Sequence, residues 1–403
     1  MPHFIVIGAG QAGSSLTAKL RSSGFDGDIT LIGLEPVPPY QRPPLSKAYL
    51  MGDMSLDRLL LRPESFYADQ NIALKLNAAV TGIDRDKQEI ILEGKRLRYD
   101  QLALTTGSDP RRLPASMGGD LEGVHVVRNL ADVDAMAPGI VSGKRALIVG
   151  GGYIGLEAAA VASKSGMEVT LVEMADRILQ RVAAPQTSDY FRNRHQDHGV
   201  SIREGIGLKR LIGDGKVTGA ELSDGSTLDV DMVIVGVGIQ PASGLAEAAD
   251  LVCENGISTD KFGRTSDPHI WAAGDCASFE FRGSRIRLES VQNAIDQAEC
   301  VATNMLGAEK PYDPKPWFWS DQYDVKLQIA GLNTGYTEVV IRENAAPNSV
   351  SHWYYEGETF RAVDAMNDPR AYMVGKRLLE MGKNPDKTAV QNPETDLKTL
   401  MRG

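Results

Sequence analysis

The sequence predicts an α/β fold with two Rossmann-like dinucleotide-binding domains and a small C-terminal α/β domain. One phosphate-binding signature occurs twice, as Gly8-Ala9-Gly10-Gln11-Ala12-Gly13 and as Gly150-Gly151-Gly152-Tyr153-Ile154-Gly155. Each copy follows an apolar strand pattern, precedes a helix pattern and is followed by a second strand with an acid at its end. The chain is therefore expected to hold two dinucleotides at once.

Each glycine of the signature has a separate physical task. The first permits a tight turn from strand to helix, the second lets the backbone approach a pyrophosphate, and the third lets helix and strand pack closely. The pyrophosphate then rests on amide N–H groups at a helix N-terminus. The candidate binding residues of the two turns are Gly8, Gly10 and Gly13 in the first, and Gly150, Gly152, Tyr153, Ile154 and Gly155 in the second.

An acid follows the second strand of each unit. Glu35 comes after Ile29-Thr30-Leu31-Ile32, and Glu173 ends Glu168-Val169-Thr170-Leu171-Val172. A carboxylate there accepts hydrogen bonds from ribose hydroxyls and repels a 2′-phosphate, so Glu173 predicts NAD rather than NADP. Arg177 and Arg181 are the nearby cations that could offset this repulsion, and Arg181 is a candidate NAD contact. The alternative to two dinucleotide sites is that both signatures are ordinary glycine turns and that the acids after them occur there by chance.

Composition narrows the class of protein. At 403 residues the chain is long enough for two or three domains, and its hydrophobic share of 42% is that of an ordered globular protein. A net charge of −10 argues against nucleic-acid binding. No apolar stretch reaches the ~20 residues of a membrane helix. The first strand begins at Phe4 and leaves no room for a signal peptide, so a cytoplasmic protein is expected.

The order of the patterns predicts four segments. They are residues 1–110 and 241–315 as two parts of one dinucleotide domain, 111–240 as the other, and 316–403 as the C-terminal domain. Small turns, Thr106-Gly107 and Val237-Gly238, close a strand in each unit. The later strand Ile270-Trp271-Ala272-Ala273 ends in Gly274-Asp275, where Asp275 is expected to accept from the ribityl chain of a flavin. Taken alone, this element is an ordinary strand end.

With these motifs, the chain resembles the FAD-dependent, NADH-dependent ferredoxin reductases that serve oxygenases, of the putidaredoxin reductase-like kind. Further segments that carry the resemblance are Pro39-Tyr40-Gln41-Arg42-Pro43-Pro44-Leu45-Ser46-Lys47 and Trp317-Phe318-Trp319-Ser320-Asp321-Gln322. The resemblance implies a glutathione-reductase-like arrangement with FAD in the first domain and NADH in the second. By motif, the implied FAD contacts are Ala12, Glu35, Arg42, Lys47, Val80, Thr106, Gly107, Arg128, Asp275, Val291 and Trp319, and Gly238 lies at the NAD site.

Two charged residues are candidates for a catalytic role. Arg42 and Lys47 flank the stiff Pro43-Pro44 pair, and cations beside a flavin can stabilise its reduced anionic ring. Glu157 begins the helix after the second turn, so it is expected to face the nicotinamide and to pair with Lys47. The alternatives are surface cations beside a turn and an acid that favours the helix dipole. Trp317 and Trp319 share one strand face, where core packing is the alternative to a flavin wall.

The cysteines decide where electrons are expected to go. Cys253, Cys276 and Cys300 form no CxxC or CxxxxC pair, and no cysteine lies between Glu35 and Lys47. Electrons are therefore expected to leave the flavin directly, for a 2Fe-2S ferredoxin that feeds a haem-thiolate monooxygenase or a ring-hydroxylating dioxygenase. The alternatives are a monodehydroascorbate-reductase-like or diaphorase activity, and an NADH-sensing interaction protein of the apoptosis-inducing-factor type.

The remaining expectations concern partners. No metal site is predicted, because His195 and His198 lack a third ligand. The oligomeric state is left open, with a monomer favoured. An acidic ferredoxin needs a local basic face on this acidic chain. The candidate cations for that face are Lys376, Arg377, Lys383, Lys387, Arg58, Arg62, Arg282, Arg285 and Arg287.

Overall fold

Short parallel strands alternate with helices in the computed structural model, which describes residues 1–344 and 346–402. The helices are α1 (Gln11–Ser22), α2 (Leu56–Leu59), α3 (Glu64–Asp69), α4 (Leu130–Met136), α5 (Tyr153–Lys164), α6 (Pro185–Asp197), α7 (Gly244–Glu247), α8 (Val291–Met305), α9 (Pro369–Met381) and α10 (Lys387–Gln391). A 3₁₀ turn spans Pro43–Ser46.

The strands are mostly short, as expected for apolar runs bounded by glycine and polar residues. They are β1 (His3–Ile7), β2 (Asp28–Ile32), β3 (Ile72–Lys75), β4 (Val80–Asp84), β5 (Glu89–Leu92), β6 (Lys95–Arg98), β7 (Gln101–Leu104), β8 (Ser108–Pro110), β9 (Val124–His125), β10 (Arg145–Val149), β11 (Glu168–Glu173), β12 (Ser201–Glu204), β13 (Leu208–Asp214), β14 (Lys216–Leu222), β15 (Thr227–Asp229), β16 (Met232–Val235), β17 (Ile239–Pro241), β18 (Ile257–Ser258), β19 (Ile270–Ala272), β20 (Ala277–Phe281), β21 (Ser284–Ile286), β22 (Trp317–Gln322), β23 (Val325–Gly331), β24 (Glu338–Glu343), β25 (Val350–Glu356) and β26 (Thr359–Met366).

The chain forms two compact units, and each unit is discontinuous in sequence. Unit 1 comprises Met1–Arg42, Ser55–Asp109 and Ile239–Pro314. Unit 2 comprises Pro43–Met54, Pro110–Gly238 and Lys315–Gly403. The proline-rich segment from Pro43 onward therefore belongs with the second glycine-rich turn, although the sequence order put it in the first domain.

Unit 1 is built on a parallel sheet of strand order β19-β7-β1-β2-β3. The central strand β1 has Ile5 and Val6 fully buried, as a strand covered on both faces requires. Helices α1 and α8 contribute Leu16, Leu20 and Val301 to one core cluster. Strand β19 pairs with β7, with Ala272 opposite Leu104, although the two strands lie far apart in the sequence. The chain thus returns to its first sheet.

Unit 2 contains a second parallel sheet, of order β12-β11-β10-β16-β9. Its glycine-rich strand β10 is flanked by β11 and β16, as β1 is flanked by β2 and β7. The following helix α5 is apolar almost throughout, and Leu156, Ala158 and Ala159 are fully buried. The duplicated architecture predicted from the two signatures is therefore present, and the predicted fold class is confirmed.

The last part of unit 2 is a five-stranded antiparallel sheet of order β22-β23-β26-β25-β24. Helix α9 covers one face, where Trp353, Phe360 and Leu378 form a core. This sheet and α9 lie in the segment 316–403 that the sequence predicts as the C-terminal domain. Within the described ranges, no helix is long and apolar enough to cross a membrane.

A buried arginine fastens the end of the chain to this sheet. Arg342 on β24 is 5% exposed and donates to the carbonyl oxygens of Val390, Asn392, Pro393 and Thr395 at 2.6–3.0 Å. Buried carbonyl groups need partners, since an unpaired one loses its hydration without compensation. One guanidinium therefore orders the segment after α10.

We expect Arg342→Met to lower the free energy of local opening of residues 386–402 by about 3 kcal/mol, because four backbone carbonyls lose the charged donor that holds them. Hydrogen exchange of that segment measures the change. Arg361→Met is the control, since Arg361 pairs with Glu356 and its side chain is 31% exposed. Equal protection of the segment in both variants would contradict the role given to Arg342.

Candidate functional site

The first glycine-rich turn leaves open space in front of the N-terminus of α1. A Cβ on Gly8 (φ +115°) would lie 2.1 Å from the Thr105 carbonyl oxygen, and one on Gly13 would lie 2.0 Å from the Gly8 oxygen. A Cβ on Gly10 would have no atom within 4 Å. Gly10 is the N-cap of α1 and supplies no side-chain partner to the first-turn amides. Two glycines are thus required by packing, while the middle one faces a space next to N–H donors.

The second turn repeats this geometry. A Cβ on Gly150 (φ +104°) would lie 2.4 Å from the Gly236 oxygen, and one on Gly155 would lie 2.1 Å from the Gly150 oxygen. A Cβ on Gly152 would again have no atom within 4 Å. Gly152 caps α5 without a side-chain hydrogen bond. Both turns therefore have the shape and the donors that a pyrophosphate requires.

The acid after β2 is engaged by two neighbours. The Tyr40 hydroxyl donates to Glu35 Oε2 at 2.5 Å, and Arg42 Nη2 lies 2.6 Å from Glu35 Oε1. Burial opposes the charge of Arg42, but the neighbouring Tyr40 and Glu35 outweigh it, so the pKa of the guanidinium is raised. Arg42, expected beside a flavin ring, is thus the partner of the predicted ribose acid.

The acid at the end of β11 is held by backbone amides. Glu173 Oε2 accepts from Gly151 N–H at 2.7 Å, and Oε1 accepts from Ala175 N–H at 2.8 Å. Arg177 donates to the Ser188 hydroxyl at 2.5 Å and to the Ala183 oxygen at 2.8 Å. Arg181 is exposed. The carboxylate charge therefore stays at the turn, and the guanidinium of Arg177 is occupied elsewhere.

The Gly274-Asp275 element lies at the first turn. A Cβ on Gly274 (φ +82°) would be 3.1 Å from the Ala12 Cβ, which places the residue against the start of α1. Asp275 Oδ2 accepts from the Ser108 hydroxyl at 2.9 Å. Gly274 N–H donates to Gln297 Oε1 at 2.9 Å. We call the open space at Gly8–Gly13 the first cradle and the matching space at Gly150–Gly155 the second cradle. The returning strand thus brings a carboxylate to the edge of the first cradle.

The other predicted contacts within unit 1 occupy the ends of elements. Thr106 donates to the Ala242 oxygen at 2.7 Å, and Gly107 has φ +73°. Val80 begins β4, and Val291 begins α8. Such positions at strand and helix ends are where α/β folds bind ligands.

Three predicted flavin contacts belong to unit 2. Lys47 follows the 3₁₀ turn, and Arg128 lies just before Asn129, the N-cap of α4. Trp319 lies on β22 with its ring centroid 5.6 Å from that of Trp317, so the two indoles share one strand face as expected. The predicted NAD residues all belong to this unit as well, namely Gly150, Gly152, Tyr153, Ile154, Gly155, Glu173, Arg181 and Gly238.

The expected pair between Lys47 and Glu157 is present. Lys47 Nζ lies 2.7 Å from Glu157 Oε2, and the side chains are 18% and 2% exposed. The Ser46 hydroxyl donates to the same oxygen at 2.7 Å, and the Ser320 hydroxyl donates to Oε1 at 2.7 Å. A buried carboxylate is thus satisfied by one cation and two hydroxyls, as a charge removed from water requires.

Sequence reasoning missed the residues around this carboxylate. Ser46, Ser320, Gln322 and His195 were not proposed for a site, although all are buried. The available signal was a polar residue at a position where the helix or strand pattern predicts a buried apolar side chain. His195 lies four residues after the core residue Phe191 on α6, and Ser320 and Gln322 alternate on one face of β22.

The cysteines are single thiols. Cys253, Cys276 and Cys300 are free, and Cys276 donates to the Leu104 and Ala273 oxygens at 3.4 Å. Burial raises the pKa of the Cys276 thiol, which makes it less reactive. These cysteines behave as small core residues and form no redox pair.

Comparison with known proteins agrees with this geometry. The model of the family described as pyridine nucleotide-disulphide oxidoreductase matches residues 2–298, and a reductase C-terminal model matches residues 317–401. The chain is 43% identical to a ferredoxin–NAD(P)+ reductase of a Sphingomonas species, over 98% of this chain and 97% of that protein. It is 40% identical to putidaredoxin reductase of Pseudomonas putida, over 94% and 91% of the two chains.

A solved structure is similar over the whole length. The chain superimposes on putidaredoxin reductase from its covalent complex with putidaredoxin with a TM-score of 0.96 and 38% identity, covering 100% of this chain and 98% of that one. Together with the two open cradles and the match over residues 2–298, this similarity shows that the chain belongs to the pyridine nucleotide-disulphide oxidoreductase family.

Proposed function

We propose that the protein is an NADH-dependent ferredoxin reductase that carries FAD and passes electrons to a 2Fe-2S ferredoxin serving an oxygenase. The observation that carries the proposal is the duplicated cradle, open at Gly10 and at Gly152, in a chain whose cysteines are single thiols. FAD accepts a hydride as two electrons and returns them singly, which suits the one-electron chemistry of an iron–sulfur protein. The ferredoxin reductases among its relatives support the same activity.

The site assignment follows the two units. We assign FAD to the first cradle with Glu35, Asp275, Thr106, Gly107, Val80 and Val291, and NADH to the second with Glu173, Arg181 and Gly238. The assignment of Lys47, Arg128 and Trp319 to the flavin rests on the resemblance. We propose that the segments 1–110, 111–240, 241–315 and 316–403 are the functional divisions of the chain. We also propose that the protein is cytoplasmic and monomeric.

Glu157 and Lys47 are the proposed catalytic pair. Glu157 lies on the helix whose N-terminus forms the second cradle, so its carboxylate is placed toward the nicotinamide end of a bound NADH. Its charge is balanced by Lys47 at 2.7 Å in a buried setting, where electrostatic interactions are stronger than in water. Hydrogen bonds from Ser46 and Ser320 hold the carboxylate of this pair in place.

The choice of electron acceptor separates this function from the alternatives. Fast NADH-dependent reduction of a ferredoxin supports the proposal, and preferential reduction of the ascorbate radical supports a monodehydroascorbate-reductase-like enzyme. Slow turnover with every acceptor supports an NADH-sensing protein. The comparison uses the purified, FAD-loaded chain with each acceptor at equal NADH concentration.

Alanine at the middle glycines tests the cradles. We expect Gly10→Ala to lower the FAD content and Gly152→Ala to raise the Kd for NADH, each by roughly tenfold or more. In both cases the new methyl group occupies the space next to the helix N-terminus. Flavin absorbance per chain and NADH titration measure the two effects.

The control for these variants is Gly244→Ala on α7, where a Cβ likewise has no atom within 4 Å. All three variants should unfold at the wild-type temperature when compared as flavin-free proteins, since none creates a clash and no bound dinucleotide then adds to stability. If Gly10→Ala and Gly152→Ala bind both dinucleotides as Gly244→Ala does, the cradles are not the binding sites.

Glu173 should set the preference for NADH. We expect kcat/KM to be at least tenfold higher with NADH than with NADPH, because the 2′-phosphate meets a carboxylate whose charge Arg177 does not offset. Glu173→Ala should bring the kcat/KM values for NADH and NADPH closer together. Steady-state kinetics with both donors provide the measurement, and equal kcat/KM values in the wild type would show that Arg181 compensates the repulsion.

The predicted basic face needs revision, because several of its cations are already paired. Arg285 lies near Glu254, Arg287 near Glu289, and Arg377 near Glu380. Lys387 is held between Glu338 and Glu358 at 2.9 Å from each. Lys376, by contrast, lies over the Trp317 ring at 5.2 Å, and it forms no ion pair with the residues that the structure describes. We therefore assign ferredoxin docking to the surface around Lys376.

We expect Lys376→Ala to slow ferredoxin reduction and to weaken its salt dependence more than Lys387→Ala does. Both variants remove one charge, so the difference between them reports direct contact rather than net charge. Ferricyanide reduction, which needs no docked protein, should be unchanged in both. Equal effects of the two variants, or a ferredoxin rate that does not fall with salt, would remove Lys376 from the docking surface.

A further inference from the structure

A continuous chain of buried side chains leads away from Glu157. Ser320 Oγ is 2.7 Å from Glu157 Oε1, Gln322 Nε2 is 3.2 Å from Ser320 Oγ, and Gln322 Oε1 is 2.8 Å from His195 Nε2. The chain ends at the Tyr323 hydroxyl, 3.1 Å from His195 Nδ1. Ser320, Gln322 and His195 are at most 1% exposed.

The hydrogen bonds of this chain have one consistent direction. An ionised carboxylate only accepts, so Ser320 must donate its hydroxyl hydrogen to Glu157. Ser320 then accepts from the Gln322 amide, which turns Gln322 Oε1 toward His195. That oxygen needs a donor, so His195 carries its hydrogen on Nε2 and its Nδ1 accepts from Tyr323. Every hydrogen therefore points toward Glu157.

The histidine is suited to this arrangement. Burial lowers the pKa of His195 to about 4, more than the bond to Gln322 raises it, and the nearby His198 lowers it further. The ring is therefore neutral at neutral pH and can donate at one nitrogen while accepting at the other. A charged ring would have no acceptor to offer Tyr323.

We propose that Ser320, Gln322 and His195 are positioning residues that hold the Glu157 carboxylate in one orientation, so that Lys47 stays paired with it when NADH binds. This inference rests on the proposed function for its kinetic consequence, but not for the state of Glu157. The alternative is that the same bonds only fasten β22 to α5 and α6.

The main test is Ser320→Ala in the FAD-loaded protein. The variant removes the direct donor to Glu157 Oε1, and we expect the limiting rate of flavin reduction by NADH to fall roughly tenfold, which corresponds to about 1.4 kcal/mol. The Kd for NADH should change by less than about threefold, because the role concerns the reacting geometry rather than uniform binding.

The matched control is Ser351→Ala on β25. Ser351 is fully buried, as Ser320 is, and its oxygen accepts from a side-chain N–H, that of Trp353 at 3.1 Å. Ser351 does not belong to the series of hydrogen-bonded side chains that leads to Glu157. Any general effect of losing a buried hydroxyl should therefore appear equally in Ser351→Ala, and thermal unfolding of both variants records it.

Infrared spectroscopy reads the state of Glu157 without turnover. In Ser320→Ala at pH 8 we expect the antisymmetric stretching band of the Glu157 carboxylate to move, because Oε1 loses its hydroxyl donor. The other carboxylates of the protein contribute a background in the same region. The Ser320→Ala/Glu157→Gln double variant retains that background and lacks the Glu157 band, which assigns the difference.

Two substitutions of His195 test the part of the hydrogen-bonded series that lies farther from Glu157. His195→Gln can place an amide N–H where Nε2 donates, whereas His195→Leu cannot. We expect His195→Gln to retain more of the limiting rate, and expect the effects of His195→Leu and Ser320→Ala to combine less than additively, because they act on one network.

The outcomes separate the two claims. If NADH reduces the wild-type flavin but Ser320→Ala matches Ser351→Ala in rate and infrared spectrum, the positioning role is wrong and the proposed function stands. If NADH does not reduce the wild-type flavin, the proposed function fails, and the infrared difference still decides whether the Ser320 hydroxyl holds the Glu157 carboxylate.

Discussion

The close approach of each third glycine to the carbonyl oxygen of the first is the constraint on which the rest of the structure depends. A Cβ at Gly13 or Gly155 would lie 2.0 or 2.1 Å from that oxygen, so any larger residue would force helix and strand apart. With glycine there, α1 and α5 start close to the edges of their sheets, and Gly10 and Gly152 at their N-termini face open space. Glu173 at the end of β11 lies beside the second turn, where it accepts from Gly151 N–H, while Glu35 follows β2 and is held by Tyr40 and Arg42. One steric requirement thus fixes two anion sites and the position of their neighbours.

Much of this could be predicted because it depends on short stretches of sequence. A strand, a glycine-rich turn, a helix and an acid follow one another within about 30 residues, and each step has a known conformational cause. The return of Asp275 to the first turn could also be predicted, since a strand ending in Gly274-Asp275 needed a sheet to join. The pair of Glu157 and Lys47 could be predicted as well. Glu157 follows the second glycine-rich turn and Lys47 follows Pro43-Pro44, and each position was expected to lie near a bound dinucleotide.

The remaining features depend on side chains that are far apart in sequence. Ser320 reaches Glu157 across 163 residues, and His195 reaches Gln322 across 127. Local patterns carry no information on such partners; they show only that a polar residue occupies a buried position. The pairing of surface cations also depends on distant residues, since Arg285 lies 3.7 Å from Glu254 and Lys387 lies 2.9 Å from Glu338. A count of basic residues predicts a basic face only when their partners are known.

The account has one central claim: the flavin is the protein's sole two-electron carrier between NADH and the acceptor. The free thiols Cys253, Cys276 and Cys300 leave no disulfide to store a second pair of electrons. An anaerobic titration of the FAD-loaded protein with NADH, followed by flavin absorbance, measures this capacity directly. The account predicts complete bleaching at one NADH per FAD. An endpoint at two NADH per FAD would reveal a second two-electron centre and contradict it.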